Sequence, residues 1–247
     1  MHRFYFQKPE IRGGEIVFTG PEWHHCQNVL RTKVGDRVTL FDGEGTEFLT
    51  QVREVHSQSA KLLLVQKTSV SRPSYDITLV QALPKNKIMD VIVQKATELG
   101  VREIIPVLSE RSVIRGEMEE LHGKVGRWQE ICIESAKQCG LNWLPKLMEV
   151  KSIRDVVSLF PKDHYKFIGS LQPDAQALWN YSLSRDSIRK PVIIMIGPEG
   201  DFSPAEAGSA RSAGFLPLSL GPLVLRCDTA AIYAISTLSY ELRRLSQ

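Results

Sequence analysis

The sequence predicts a small β-barrel domain followed by an α/β domain whose sheet is mostly parallel. Short apolar segments separated by Gly and Asp turns occupy the first seventy residues, a pattern typical of antiparallel β structure. After Pro73, strand-like runs alternate with helical ones, which favours a parallel sheet with helices on both faces. We therefore divide the chain into a domain of residues 1–72 and a domain of residues 73–247.

Composition excludes several classes of protein. The 247 residues carry 31 Lys+Arg against 28 Asp+Glu, and 43% are hydrophobic, which is an ordinary globular balance. The longest apolar run, residues 192–196, is far too short to span a bilayer, and the first residues lack the apolar stretch of a secretory signal. Four cysteines without a CxxC pair favour free thiols and no metal site. We expect a cytoplasmic protein with no membrane contact.

In the first domain, apolar segments of strand length are bounded by turn residues. Asp42-Gly43 is a strong hairpin signal. The segment from Pro21 to Leu30 is the exception and predicts a short helix. The predicted strands cover residues 15–18, 37–41, 47–52 and 61–65.

In the second domain, helical periodicity separates the strands. Ile88, Val91, Ile92 and Leu99 share one helical face, and Gly100 follows as a stop. The predicted helices cover residues 87–99, 117–139 and 229–245, and the predicted strands cover 77–82, 103–108, 166–170, 192–196 and 216–220. Cys132 and Cys139, seven residues apart, are expected on one buried helix face.

The loop after strand 192–196 is the first candidate ligand loop, because ligands bind beyond the carboxyl ends of strands in open α/β sheets. Gly197 and Gly200 allow the backbone to approach a ligand closely. Ser203 and Glu206 form a capping-box pattern, which predicts that a helix begins there. Amides at such a helix start favour an anionic or carbonyl-bearing group.

Two further strand ends extend this candidate pocket. The segment that begins at Gly221 brings Arg226, Asp228 and Thr229 to the start of the last helix, and residues 169–173 follow another strand. Three such loops would hold a nucleoside-like ligand mainly through backbone groups. The P-loop pattern, a GxGxxG at a helix start and the HExxH metal pattern are all absent from the sequence.

Two of these loops together carry a resemblance. Ile196-Gly-Pro-Glu-Gly200 and Leu220-Gly-Pro-Leu-Val-Leu-Arg-Cys-Asp-Thr-Ala-Ala231 resemble the RsmE family, the 16S ribosomal RNA uridine-N3 methyltransferases of the SPOUT superfamily. The resemblance extends over nearly the whole chain, including residues 3–6, 25–36, 87–100 and 110–112. It implies a PUA-like RNA-binding barrel, a trefoil-knotted methyltransferase domain, bound S-adenosylmethionine, and a homodimer formed through the knotted domains.

The resemblance also implies roles for individual residues. We expect Arg226 to be catalytic, stabilising the uracil anion or holding the target nucleotide. Cofactor contacts are expected from Leu171, Ile196, Gly197, Pro198, Glu199, Gly200, Leu220, Gly221, Leu225, Arg226 and Thr229. Contacts with 16S rRNA or the small ribosomal subunit are expected from Arg3, Arg31, Lys33, Lys85, Lys87 and Arg111.

The chain departs from the family pattern at two places. Asp201 stands where the family usually has a second Gly, and Leu141 stands where it often has Arg. If position 201 needs a positive φ, Asp tolerates that conformation better than most residues.

Two other functions stay open at this point. A SPOUT methyltransferase that modifies another RNA position would carry the same cofactor loops. A non-catalytic RNA-binding assembly factor would have lost turnover through changes such as Asp201 and Leu141. The presence of Gly197, Gly200, Gly221 and Arg226 argues against this last function.

Overall fold

A computed structural model describes residues 2–28, 30–85, 87–112, 118–185 and 190–246. The chain forms two compact units. The first contains Met1–Arg72 and Ala136–Leu144, and the second contains Pro73–Ser135 and Pro145–Gln247. The residues 136–144, which the sequence assigned to the second domain, therefore belong to the first compact unit.

The first unit is a six-stranded sheet with one helix. Its elements are β1 (Arg3–Tyr5), β2 (Ile11–Arg12), β3 (Glu15–Thr19), α1 (Pro21–Asn28), β4 (Arg37–Phe41), β5 (Thr46–Val55) and β6 (Ser59–Ser69). The strand order is β1-β4-β5-β6-β3-β2, and only the β1–β4 pair among these strands is parallel. All four predicted strands are present. The short strands β1 and β2 were missed, because runs of two or three residues show no periodicity.

Aromatic side chains fill the core of the first unit. Phe18 lies between Phe4, at a ring-centroid distance of 5.7 Å, and Trp23, at 6.1 Å. All three rings are essentially inaccessible to solvent. Helix α1 supplies Trp23 and Cys26 to this core, which explains why a helical segment interrupts the strands.

The second unit contains a seven-stranded parallel sheet. Its elements are β7 (Ile77–Ala82), α2 (Ile88–Glu98), β8 (Glu103–Leu108), α3 (Met118–Cys139, whose last turn belongs to the first unit), β9 (Lys146–Leu147), β10 (Lys151–Ser152), α4 (Ile153–Leu159), β11 (Tyr165–Gly169), β12 (Val192–Ile196), α5 (Pro204–Ser212), β13 (Leu216–Leu218) and α6 (Cys227–Leu245). A 3₁₀ turn, Leu178–Asn180, follows β11. The strand order is β10-β8-β7-β12-β11-β13, with β9 paired to β8.

Two apolar cores lie on the two faces of this sheet, as the alternation of strands and helices predicted. Val192, Ile194 and Ile196 of β12 belong to the core that α2, α3 and α6 cover. Ile193 and Met195 belong to the other core, which α4 and α5 cover. Strand β12 is buried on both faces, which accounts for its uninterrupted apolar sequence.

Several predicted bounds and burials need correction. Helix α1 ends at Asn28, β13 ends at Leu218, and α6 begins at Cys227 rather than Thr229. The predicted start of α3 at residue 117 lies outside the described residues. Cys132 is buried as expected, whereas Cys139 is exposed, because it lies in the last turn of α3, where the helix ends. In the part of the chain that the structure describes, no helix combines the length and the apolarity that a bilayer crossing requires.

Candidate active site

A cavity of about 280 Å³ opens at the carboxyl ends of the parallel strands in the second unit. Its walls come from the loops after β11, β12 and β13 and from the first turns of α2 and α6. The lining residues are Ile88, Gly169, Ser170, Leu171, Ile196, Gly197, Pro198, Glu199, Asp201, Leu220, Gly221, Leu223, Val224, Leu225, Arg226, Cys227 and Ala230. The three strand ends that the sequence singled out therefore meet at one cavity.

The loop after β12 is a tight turn that brings backbone groups to the cavity. The amide of Asp201 donates to the carbonyl of Pro198 at 2.9 Å, and Asp201 adopts a left-handed φ of 59°. The sequence had linked Asp201 to a positive φ, and this conformation is confirmed. A Cβ at Gly197 would lie 3.1 Å from the Asp201 carboxylate, so the turn leaves little space for a larger residue.

The capping box predicted at the start of α5 is present. Ser203 Oγ accepts from the amide of Glu206, and the Glu206 carboxylate accepts from the amide of Ser203. Pro204 occupies the first helical turn, where its missing N–H costs nothing. The loop after β12 therefore ends in a fixed helix start.

The loop after β13 contributes a glycine and an arginine. Gly221 has a φ of 109°, a conformation that other residues rarely adopt, and it lines the cavity. Arg226 is the N-cap residue of α6 and is exposed at the cavity. Among the described residues, no carboxylate lies within ion-pair distance of Arg226, and this includes its neighbours Asp228 and Glu199.

The loop after β11 completes the wall between the other two loops. A Cβ at Gly169 would lie 3.1 Å from the Ile196 side chain. The amide of Ser170 donates to the carbonyl of Leu218 at 3.0 Å, which ties this loop to β13. Close packing of the three strand ends therefore depends on the small residue at position 169.

Most of the residues that the sequence proposed for cofactor contact line this cavity, and two do not. Gly200 lies in the turn after β12 and faces Arg111. A Cβ built at Gly200 would lie 3.4 Å from the Cβ of Arg111. Thr229 is exposed in the first turn of α6 and is absent from the lining. Because α6 begins two residues earlier than predicted, Cys227 and Ala230 face the cavity instead. Helical spacing from Arg226 would have found Ala230, four residues on.

Glu199 supports the loops around the cavity. Its Oε1 atom accepts from the backbone amide of Lys85 at 3.0 Å, which ties the loop after β7 to the loop after β12. Glu199 therefore orients the loop after β12 through this contact.

Cys227 is a buried thiol in the cavity wall. Burial, with a smaller contribution from the carboxylates of Glu199 and Asp228, raises the pKa of Cys227 to about 11. At neutral pH the cavity therefore presents a neutral thiol.

The basic residues proposed for RNA contact have different surroundings. In the first unit, the Arg3 guanidinium binds the Glu47 carboxylate and the Asn142 side-chain oxygen, and it lies 4.8 Å from the Phe41 ring centroid. The described partners of the Arg3 side chain therefore all lie within the first unit. Arg31 and Lys33 are exposed in the first unit, and Lys85, Lys87 and Arg111 are exposed in the second.

Comparison with known families assigns both units. Residues 71–239 match the RNA methyltransferase domain family, and residues 18–65 match the RNA methyltransferase PUA domain family. Ribosomal RNA small subunit methyltransferase E of Aquifex aeolicus is 30% identical over 239 residues, covering 96% of this chain and 99% of that protein. The Bacillus subtilis protein of the same name is 29% identical, covering 98% and 97%.

Solved structures give the same assignment. A Legionella pneumophila methyltransferase, solved in complex with bound S-adenosylmethionine, has a TM-score of 0.88 and 32% identity, with 97% of each chain covered. Ribosomal RNA small subunit methyltransferase E of Neisseria gonorrhoeae, also bound to S-adenosylmethionine, has a TM-score of 0.85 and 30% identity, with 98% of each chain covered. The PUA-like first unit and the SPOUT-type α/β second unit match these structures over nearly their full length, and the chain belongs to the RsmE family of ribosomal RNA methyltransferases.

Proposed function

We propose that this chain transfers a methyl group from S-adenosylmethionine to N3 of one uridine in 16S ribosomal RNA, with the small ribosomal subunit as substrate. One observation carries the proposal: three strand-end loops form a cavity of backbone groups and apolar walls, lined also by Arg226, which forms no ion pair with a described carboxylate. Family membership supports the same reaction, because the relatives are named for methylation of the small-subunit RNA.

The residues around the cavity fit S-adenosylmethionine. The adenine and the methionine chain need apolar walls, which Ile88, Leu220 and Leu225 supply, and polar edges, which backbone groups near Gly197 and Gly221 supply. Arg226 is the one cationic side chain among the described lining residues, and the carboxylates of Glu199 and Asp201 are also in that lining, which suits a cationic sulfonium. When bound, the cofactor supplies an electrophilic methyl group on a positively charged sulfur.

Arg226 is the residue that we assign to catalysis. Uridine N3 carries a proton, and its loss leaves negative charge over N3 and the two carbonyl oxygens. A guanidinium directed at that charge stabilises the transition state without a metal. Because the described carboxylates form no ion pair with Arg226, its charge is available to the substrate.

Two predicted cofactor contacts are not assigned to the cofactor in this proposal. Gly200 supports the turn of residues 197–201 next to Arg111, and Thr229 is exposed in the first turn of α6, outside the cavity lining. Glu199 holds the Lys85 loop rather than acting as a general base. The remaining predicted contacts keep the roles first assigned to them.

RNA contacts are proposed separately for the two units. In the first unit, the exposed side chains of Arg31 and Lys33 would neutralise phosphates, whereas Arg3 holds the fold together. In the second unit, Lys85 and Lys87 flank the start of α2, whose first residue, Ile88, lines the cavity. Phosphate contacts of this kind make binding salt-dependent. The target uridine must leave its stack to reach the cavity.

We also propose a homodimer formed through the second units. Large apolar side chains are exposed there, which is unfavourable in a monomer and favours association. These residues are Trp179, Leu223, Val224, Tyr233 and Tyr240. The trefoil knot stays a prediction from the family resemblance. A cytoplasmic location follows from the proposed substrate, and free cysteines fit a reducing compartment.

The test uses small ribosomal subunits from cells that lack this activity. They are incubated with the protein and methyl-labelled S-adenosylmethionine, and the RNA is digested and analysed by nucleoside mass spectrometry. Labelled 3-methyluridine is the expected product. A different labelled nucleoside would mean that the protein is a methyltransferase that modifies another position of the RNA. Cofactor binding without any label would favour the RNA-binding assembly factor.

A further inference from the structure

The Glu206 carboxylate has two partners, and only one of them belongs to its own helix. Its Oε2 atom accepts from the amide of Ser203 at 2.9 Å, which is the ordinary capping-box bond. Its Oε1 atom accepts from the amide of Glu110 at 2.8 Å. Glu110 lies just beyond β8, so this second bond joins the start of α5 to a different strand end.

Arg111 makes a second connection between the same two loops. Its Nη1 atom donates to the carbonyl of Gly200 at 2.7 Å. Its aliphatic stem lies against Gly200, since a Cβ built there would be 3.4 Å from the Arg111 Cβ. No carboxylate among the described residues pairs with Arg111. The bond to Gly200 is therefore its one described polar contact.

The turn that carries Glu110 and Arg111 is itself closed. The amide of Ser112 donates to the carbonyl of Ser109 at 3.0 Å, and the two hydroxyls lie 2.9 Å apart. Both serines are buried. Residues 109–112 therefore provide a fixed support for the loop after β12.

The supported loop contains a strained backbone position. Asp201 holds a left-handed conformation that costs free energy in a residue with a side chain. The two connections lie on either side of Asp201, at Gly200 and at Ser203. Gly197, Pro198, Glu199 and Asp201 form one wall of the cavity.

We propose that Glu206 and Arg111 are positioning residues that hold the loop of residues 197–203 in its cofactor-binding conformation. The inference rests on the proposed function, because it takes the cavity as the S-adenosylmethionine site. It also changes the role expected for Arg111, from an RNA contact to support of the loop. Neither side chain lines the cavity, so both act through the backbone at residues 200–203.

The variants separate this role from a general loss of stability on removal of a helix cap. Glu206→Gln replaces one of the two acceptor oxygens with an NH₂ group, which donates and cannot accept, so one of the two described bonds is lost. Arg111→Met keeps the stem against Gly200 and removes the donor, and Arg111→Lys restores a charged donor. Ser152→Ala is the control, because it removes the N-cap of α4, where Ser152 Oγ accepts from the amide of Asp155 at 3.1 Å.

The measurement is the Kd for S-adenosylmethionine by titration calorimetry, below the melting temperature of each variant, with the KM for small subunits alongside. We expect Glu206→Gln and Arg111→Met to weaken cofactor binding on the order of tenfold, since each loses a hydrogen bond to a charged group. Arg111→Lys should recover part of that loss. The KM for the subunit should stay within about twofold. Ser152→Ala should lower the melting temperature and leave the Kd unchanged.

Two results would overturn the inference. One is an unchanged cofactor Kd in both Glu206→Gln and Arg111→Met. The other is an Arg111→Met variant that loses affinity for the subunit alone, which would return Arg111 to the RNA surface. Failure of the unsubstituted protein to bind S-adenosylmethionine would instead reject the proposed function, so the two failures are distinguishable.

Discussion

The indole ring of Trp143 packs directly on the backbone of Gly45 in the first unit. A Cβ built at Gly45 would lie 2.3 Å from Trp143 Cζ2, a separation that non-bonded atoms do not reach. Gly45 has a φ of 95°, and its amide donates to the carbonyl of Asn142 at 2.9 Å. The hairpin between β4 and β5 therefore needs glycine both for its conformation and for the space that Trp143 occupies.

The first prediction compares Gly45→Ala with Gly35→Ala. Gly35 has nearly the same φ, 96°, but nothing lies within 4 Å of its built Cβ. Both substitutions place a Cβ on a residue with a positive φ, and only Gly45→Ala also places it against the Trp143 ring. We expect Gly45→Ala to cost a further 1–3 kcal/mol or so in the free energy of unfolding, as overpacking does. Urea unfolding followed by far-UV circular dichroism measures both.

A double variant checks the cause. Trp143→Ala removes the ring, so Gly45→Ala should be less costly in that background than in the natural one. Equal costs for Gly45→Ala and Gly35→Ala would contradict the packing that we describe.

The second prediction concerns Asp201 and its left-handed turn. Asp201→Gly removes the strain but also the bond from the Phe202 amide to Asp201 Oδ1, at 2.7 Å, so the two effects offset each other and stability changes little. Asp201→Asn keeps both the tolerance of this conformation and an acceptor. Asp201→Val places a β-branched residue at φ 59° and should cost about 1–3 kcal/mol.

Thermal unfolding of the three Asp201 variants tests that order. We expect the melting temperature of the Asn variant to be close to that of the natural protein, and that of the Val variant to be clearly lower. A Val variant as stable as the Asn variant would mean that residue 201 leaves the left-handed region at no cost.

The third prediction concerns Arg226 in the proposed reaction. Arg226→Ala should lower single-turnover methylation on the order of a hundredfold or more, because it removes the charge that stabilises the uracil anion. Arg226→Lys should retain part of the activity, since it keeps the charge without the planar fork. Arg243→Ala, an exposed arginine in the last turn of α6, is the matched control and should be fully active. Unchanged methylation by Arg226→Ala would remove Arg226 from the mechanism.

The cavity was largely predictable from the sequence, because the signals that build it are local. Gly-Pro after an apolar strand and Ser-Pro-Ala-Glu at a helix start indicate a strand end and a helix start without knowledge of distant residues. The parallel arrangement then brings the strand ends together. Ile88 was missed because its contribution depends on how α2 packs, which periodicity alone does not give.

The first unit shows the opposite case. Its strands were predictable, but the contact between Trp143 and Gly45 joins residues almost a hundred positions apart. Arg3 was predicted to contact RNA, and its internal partners could not be foreseen, because a free and a paired arginine look alike in a sequence. Its partners Glu47 and Asn142 come from other parts of the chain, and only the fold brings them together.

The fourth prediction concerns Lys166, a buried lysine on β11. Its Nζ donates to the carbonyl of Ala213, just past α5, at 2.7 Å and to that of Pro161 at 3.1 Å. Burial lowers the pKa of Lys166 below its ordinary value. Between this lowered pKa and the unfolded value, about 10.4, the unfolded chain binds more protons, so the contribution of Lys166 to stability rises with pH.

The comparison is with Lys166→Met, measured by urea unfolding from pH 7 to pH 10. The unfolding free energy of the natural protein, relative to that of Lys166→Met, should increase as the pH rises. Lys33→Met, at an exposed lysine of the first unit, is the control for the loss of a lysine charge. A difference that is independent of pH would mean that Lys166 titrates alike in the folded and unfolded chain.

The fifth prediction concerns the thiol of Cys227 in the cavity wall. Its pKa is raised to about 11, mainly by burial, and the thiolate is the form that reacts with alkylating reagents. Its alkylation rate should therefore rise about tenfold per pH unit through pH 10, whereas a thiol with the ordinary pKa of about 8.5 levels off near pH 9. Peptide mass spectrometry follows this cysteine in the natural protein, with free cysteine as the reference.

The same experiment with S-adenosylmethionine tests the assignment of the cavity. A bound cofactor would occupy the space that Cys227 lines, so labelling should slow in proportion to the occupied fraction. Cys139, which is exposed and does not line the cavity, should be labelled at the same rate with and without the cofactor. A plateau in the Cys227 rate near pH 9 would contradict its burial. Equal rates with and without saturating cofactor would mean that S-adenosylmethionine binds away from Cys227.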